Sequence, residues 1–144
     1  MIRQDDGRMK VEIRQWGCYF MSILFWLNKL TNISLSADCI TDGIYKLFVK
    51  RQWMRETCFI LNPLAILDWG GIECTVVTEN GSHRLPPNYQ CRKNDIEILF
   101  FKRPGHQGHF VAGDGKGNVA YDPMGRSVSV KDGDLISKRV FRPK

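Results

Sequence analysis

No uncharged stretch of this sequence is long enough to cross a bilayer. The longest runs from Gln15 to Asn28, whereas a membrane-spanning helix needs about 20 apolar residues. No small-residue cleavage site follows it, since the chain reads Leu27-Asn28-Lys29-Leu30. A secretory signal is therefore not expected, and the expected location is the cytoplasm. None of the five cysteines (Cys18, Cys39, Cys58, Cys74, Cys91) forms a C-x-x-C pair. Neither a zinc knuckle nor a redox dithiol is signalled, and no metal or organic cofactor is implied. Basic residues never run beyond a pair, although 21 Lys and Arg against 15 Asp and Glu give a net charge of +6. Scattered charge of this size is what solubility alone explains, so no specific nucleic-acid partner is expected. Repeats, linkers and low-complexity segments are also missing.

What is present is the balance of an ordinary folded domain: 144 residues, 43% hydrophobic and 25% charged, read as a single domain over 1–144. From Cys18 to Leu30 nearly every side is apolar, the signature of a central, buried helix. Ser36 caps a second helix reaching about Lys50, and Asn62-Pro63 opens a third that stops at Gly70-Gly71. Beyond Gly71 the pattern turns to strands: Ile72 to Thr78, Ile96 to Phe101, Phe110 to Ala112, Val119 to Tyr121, Ser127 to Val130 and Arg139 to Phe141. Asp114-Gly-Lys-Gly-Asn118 reads as a tight hairpin turn between two of them. The expected fold class is α+β, with N-terminal helices, one of them buried, packed on a C-terminal antiparallel sheet.

Three features gain weight together. Cys18 follows Gly17 at the first turn of the apolar helix, where the helix dipole and free backbone N–H groups favour a thiolate. His109 follows the glycine-rich loop Pro104-Gly-His-Gln-Gly108 and opens a strand. Asp122 closes the next strand, just before Pro123, so hairpin pairing brings it beside His109. A nucleophile, a base and an orienter of that base are what nucleophilic acyl transfer needs. Singly, each has a plainer reading: a buried cysteine as a small hydrophobe, a loop histidine, a turn aspartate. His106 and His109 have no carboxylate or cysteine company, and the aromatic residues Trp26, Trp53, Phe59 and Trp69 read as core.

This order and layout resemble the papain-like cysteine peptidases, and more closely their bacteriocin-processing branch and its relatives in phages and cell-wall enzymes. The residues that carry the resemblance are Gly17-Cys18, Gly108-His109-Phe110-Val111 and Tyr121-Asp122-Pro123 with Gly125. It implies a papain-like fold and a cysteine that attacks a peptide carbonyl. The histidine would relay the proton, and the aspartate would orient it. A glutamine in a segment like Gln4-Asp5-Asp6-Gly7-Arg8 would help bind the oxyanion. Glu12 stands where the relatives carry that glutamine, leaving Gln4, which needs an inserted loop, or Gln15; Gln4 is preferred because Gln15 sits too near Cys18. Tyr19 stands where relatives have a small residue, and its ring is expected to narrow the cleft.

Two functions follow as expectations. One is a cysteine-dependent amide hydrolase acting on a peptide leader or a peptidoglycan peptide. The other is a catalytically silent papain-like module for binding or interaction, of phage or plasmid origin.

Overall fold

The computed structural model describes residues 1–144. Five strands form one open antiparallel sheet: β1 (Cys74–Val76), β2 (Ile96–Lys102), β3 (His109–Gly113), β4 (Val119–Tyr121) and β5 (Asp134–Pro143), in the order β1-β5-β2-β3-β4. The helices come first, as expected: α1 (Val11–Trp16), α2 (Cys18–Thr31), a π-helical turn (Cys39–Ile44) leading into α3 (Tyr45–Lys50), and α4 (Pro63–Trp69). The architecture is α+β. No helix is long and apolar enough to cross a membrane.

Helix α2 is the centre of the core. Phe20, Met21, Ile23, Leu24, Trp26 and Leu27 are all buried, and they cover more than one face of the helix. Each fully buried side chain of this size contributes about 1.5–3 kcal/mol through its removal from water, so α2 anchors the fold. One side packs against β3 and the end of β4, with the Phe25 ring stacked on Tyr121 and the Tyr19 ring tilted against Phe110. Trp26 crosses to the sheet, donating its indole N–H to the Glu97 carbonyl at 2.9 Å. The other side meets the helical layer, where Phe20 meets Phe48 edge to face.

Two expectations require correction. Ser127–Val130 is not a strand: it opens helix α5 (Val128–Asp132), whose first turn is capped by Ser127 Oγ accepting from Val130 N at 3.3 Å. Its alternation of β-branched residues imitates a strand, but the serine cap decides the local structure. Phe59 and Trp69, read as core, are 62% and 36% exposed; Phe59 lies on the loop ahead of α4, under the Arg55 guanidinium, and Trp69, at the end of α4, meets Phe48 edge to face.

Candidate active site

The chain breaks its helix at Gly17 and starts a new one at Cys18. A Cβ at Gly17 would lie 2.6 Å from the Ile13 carbonyl oxygen, so only glycine lets the two helices meet at this angle. The break has an electrostatic consequence. In an unbroken helix the Arg14 carbonyl would accept from the Cys18 N–H. Here that carbonyl accepts instead from Gln4 Nε2 at 3.1 Å, and no backbone carbonyl takes the Cys18 N–H. The thiol thus sits at the head of α2 beside a backbone donor aimed away from its own helix, where partial positive charge gathers.

His109 begins β3, where the chain leaves the Pro104–Gly108 loop. A Cβ on Gly108 would overlap the Phe100 ring, which fixes how closely this loop approaches the sheet. Asp122 follows β4. The β3–β4 register sets Ala112 opposite Tyr121, so Asp122 and His109 share a parity and meet diagonally rather than as direct opposites. His109 Nε2 and Asp122 Oδ1 are 2.7 Å apart, with only 11% and 5% of the two side chains exposed.

The Asp122 carboxylate is fully occupied. Oδ1 also accepts from Met124 N and Oδ2 from Ser127 N, each at 3.0 Å. Burial opposes its charge, but the His109 hydrogen bond and these backbone donors outweigh burial and hold the carboxyl well below the usual range. His109 responds in the opposite sense. Burial works against its protonation most strongly, yet its hydrogen bond to Asp122 and the nearness of the Cys18 sulfur prevail and raise it to about 9. With Nε2 committed to Asp122, Nδ1 is the ring nitrogen left for the thiol.

Cys18, His109 and Gln4 border one cavity of about 390 Å³, together with Arg14, Gln15 and Gln107 among others. Gln4 reaches it through a strap of the N-terminal segment. The Ile2 carbonyl accepts from the Tyr121 hydroxyl (2.6 Å), Arg3 donates to the Met124 carbonyl (2.8 Å), and Gln4 N donates to the Pro123 carbonyl (2.7 Å). Gln4 is 3% exposed. One proton of its amide nitrogen serves Arg14, and the second has no protein acceptor. Gln15 also borders the cavity, but it is exposed and its side chain makes no hydrogen bond. The structure therefore gathers Cys18, His109, Asp122 and Gln4 in one place.

Tyr19 does not narrow this cavity, which is a correction. The first turn of α2 rotates its ring away from Cys18 onto Phe110 at 4.5 Å, where it joins Phe100 and the Arg139 guanidinium. Reading the sequence alone missed α1, Arg14 and the Ser127 backbone donor. The Ser127 cap was the one available signal. Asp114, in the hairpin turn, accepts from Lys116 N and Asn118 N, as a turn aspartate does.

These features define an α+β protein in which a helix-borne cysteine and a strand-borne histidine share one cavity, with Asp122 hydrogen-bonded behind the histidine. The chain belongs to the family described as Protein of unknown function, DUF261, which matches residues 1–143. No curated protein and no solved structure matches it.

Proposed function

We propose that the protein is a cysteine-dependent amide hydrolase with a papain-like site. The observation that carries this reading is the buried His109–Asp122 hydrogen bond at 2.7 Å beside the cavity that Cys18 borders. In the proposed reaction His109 takes the Cys18 proton and the sulfur attacks the carbonyl carbon of a peptide bond. The C–N bond breaks, the amine departs with a proton from His109, and a thioester remains on Cys18. Water, deprotonated by His109, then releases the acid and restores the thiol. Asp122 holds the ring in one tautomer through both halves.

The oxyanion would be received by the Cys18 N–H and the second Gln4 amide proton, two donors organised around the Arg14 carbonyl. The papain-like resemblance supports the same assignment, with its cysteine at the head of the central helix and its histidine at the start of a strand. Substrates are peptides, either a leader peptide or a peptidoglycan peptide.

The test is the alkylation rate of Cys18 by iodoacetamide against pH, resolved by mass spectrometry, in the native protein and in His109→Ala. Fast reaction persisting below an ordinary thiol pKa of about 8.5, and lost in the variant, is the expected result. Slow reaction that follows an ordinary thiol in both proteins would favour the binding-module reading instead.

A further inference from the structure

The charges near the cavity are unevenly matched. Along the N-terminal segment Arg3 pairs with Asp5 at 2.7 Å, Arg8 with Asp6 at 2.8 Å, and Lys10 with Glu12 at 3.8 Å. Arg14, the next basic residue, breaks the series. Arg14 is exposed, its guanidinium makes no ion pair or hydrogen bond, and the residue borders the same cavity as Cys18, four residues further on. No aspartate or glutamate lines that cavity. Asp122 lies behind His109, with both oxygens already occupied. The open wall beside Arg14 carries Trp16, 47% exposed, an aromatic face with no polar demand of its own beyond its indole N–H.

Arg14 and Cys18 border one cavity of about 390 Å³, and an extended chain advances about 3.3 Å per residue. Whatever part of a substrate reaches Arg14 is therefore close to the bond under attack. An arginine fork without a partner, in a cleft free of competing acid groups, is suited to a carboxylate, which it can engage through two parallel N–H bonds.

We propose that Arg14 is a specificity determinant that selects peptides bearing a carboxylate within about two residues of the scissile amide. This deepens the hydrolase reading and rests on Cys18 being the reactive thiol. The carboxylate has two possible sources, an acidic side chain or the α-carboxylate of a chain end, and both present the same chemistry to the guanidinium.

Three thiol-directed probes separate these sources: iodoacetyl-Gly-Glu-amide, iodoacetyl-Gly-Gln-amide and iodoacetyl-Gly-Gln with a free carboxyl end. Their alkylation rates would be followed at Cys18 and, as an internal reference, at the exposed Cys39. At Cys18 a carboxylate probe should outpace the neutral one by about tenfold, the scale of one partly solvated charge-assisted hydrogen bond. The ratio should be near one at Cys39. In Arg14→Gln the Cys18 ratio should fall to the Cys39 value, and in Arg14→Lys it should be partly kept. Whichever carboxylate probe is faster identifies the source.

A Cys18 ratio equal to that of Cys39 in the native protein, or one that persists in Arg14→Gln, overturns the proposal and leaves the hydrolase reading standing. A Cys18 that none of the probes modifies while Cys39 reacts sinks both.

Discussion

Glu97 of β2 and Lys138 of β5 meet at 2.9 Å across the sheet, with 0% and 4% of their side chains exposed. The other Glu97 oxygen accepts from Gly115 N and Gly117 N at 3.1 Å each, so the pair pins the tip of the β3–β4 hairpin. The far end of that hairpin presents His109 and Asp122. Lys138→Met would strand a buried carboxylate, and a loss of about 3–5 kcal/mol is expected on removing one partner of such a pair. Urea unfolding measures it directly. A midpoint unchanged from the native protein would show that the pair contributes nothing.

Replacing Gln4 tests the second oxyanion donor. Gln4→Ala should lower turnover of any substrate found by about 10²–10³, the usual effect of losing one such donor. Gln15→Ala should leave turnover within about twofold, in line with an exposed side chain that holds nothing. Reversed effects of the two substitutions would move the oxyanion site to Gln15.

Asp122→Asn keeps the size of the side chain but presents an NH₂ or a neutral oxygen to His109. Loss of the orienting carboxylate reduces turnover by about 10⁴ in the comparable serine triad. Cys18 alkylation at pH 7 should fall by up to about thirtyfold, toward the rate of an ordinary thiol of pKa about 8.5, of which only a few per cent is thiolate at that pH. Near-native reactivity in this variant would mean that His109 is oriented by the β3 backbone alone.

The His109–Asp122 pair also makes stability depend on pH. Folding raises His109 from an ordinary 6.5 to about 9, so the folded state binds the proton more tightly than the unfolded chain. The contribution is complete below about pH 6.5 and disappears as pH climbs through about 9. Thermal melts between pH 6 and 10 should show this decline in the native protein. Its slope should flatten in Asp122→Asn; equal slopes would place the pH dependence elsewhere.

Gly17 joins α1 to α2 under a tight steric limit. Gly17→Ala drives a methyl against the Ile13 carbonyl oxygen, 2.6 Å away, and overpacking of this kind costs about 1–3 kcal/mol. The strain is relieved only by turning the head of α2. Cys18 alkylation should therefore slow more than stability falls, a disproportion that paired denaturation and alkylation measurements would reveal.

The elements that are legible in the sequence are those whose signals are local. Helix α2 announces itself because its residues are apolar on nearly every side, and α4 because Asn62-Pro63 and Gly70-Gly71 mark its ends. Cys18, His109 and Asp122 each stand beside a glycine or proline that ends an element, so their placement follows from turn chemistry. Helix α1 gives no such signal: Lys10 at its start makes no side-chain cap, and the helix is only six residues long. The true length of β5 is hidden for a different reason. Lys138 and Arg139 look like solvent-facing residues, yet one is buried against Glu97 and the other lies over the rings of Phe100 and Phe110. A charged residue signals a strand interior only when its partner across the sheet is known. Gln4 is likewise placed by contacts more than a hundred residues distant in sequence.

That strap sets an order in time. Ile2 and Arg3 are bonded to residues 119 and 121 positions further along, and a ribosome delivers the chain from its N-terminus at about 5–20 residues each second. Residues 2–4 must wait for Tyr121 through Met124 before Gln4 can settle beside Cys18. During that interval α2 carries its thiol without His109, Asp122 or Gln4 beside it. The same connection means that an extension fused ahead of Met1 bears on the cavity wall itself, whereas one fused after Lys144 follows the end of β5, at β1 on the opposite edge of the sheet from β4.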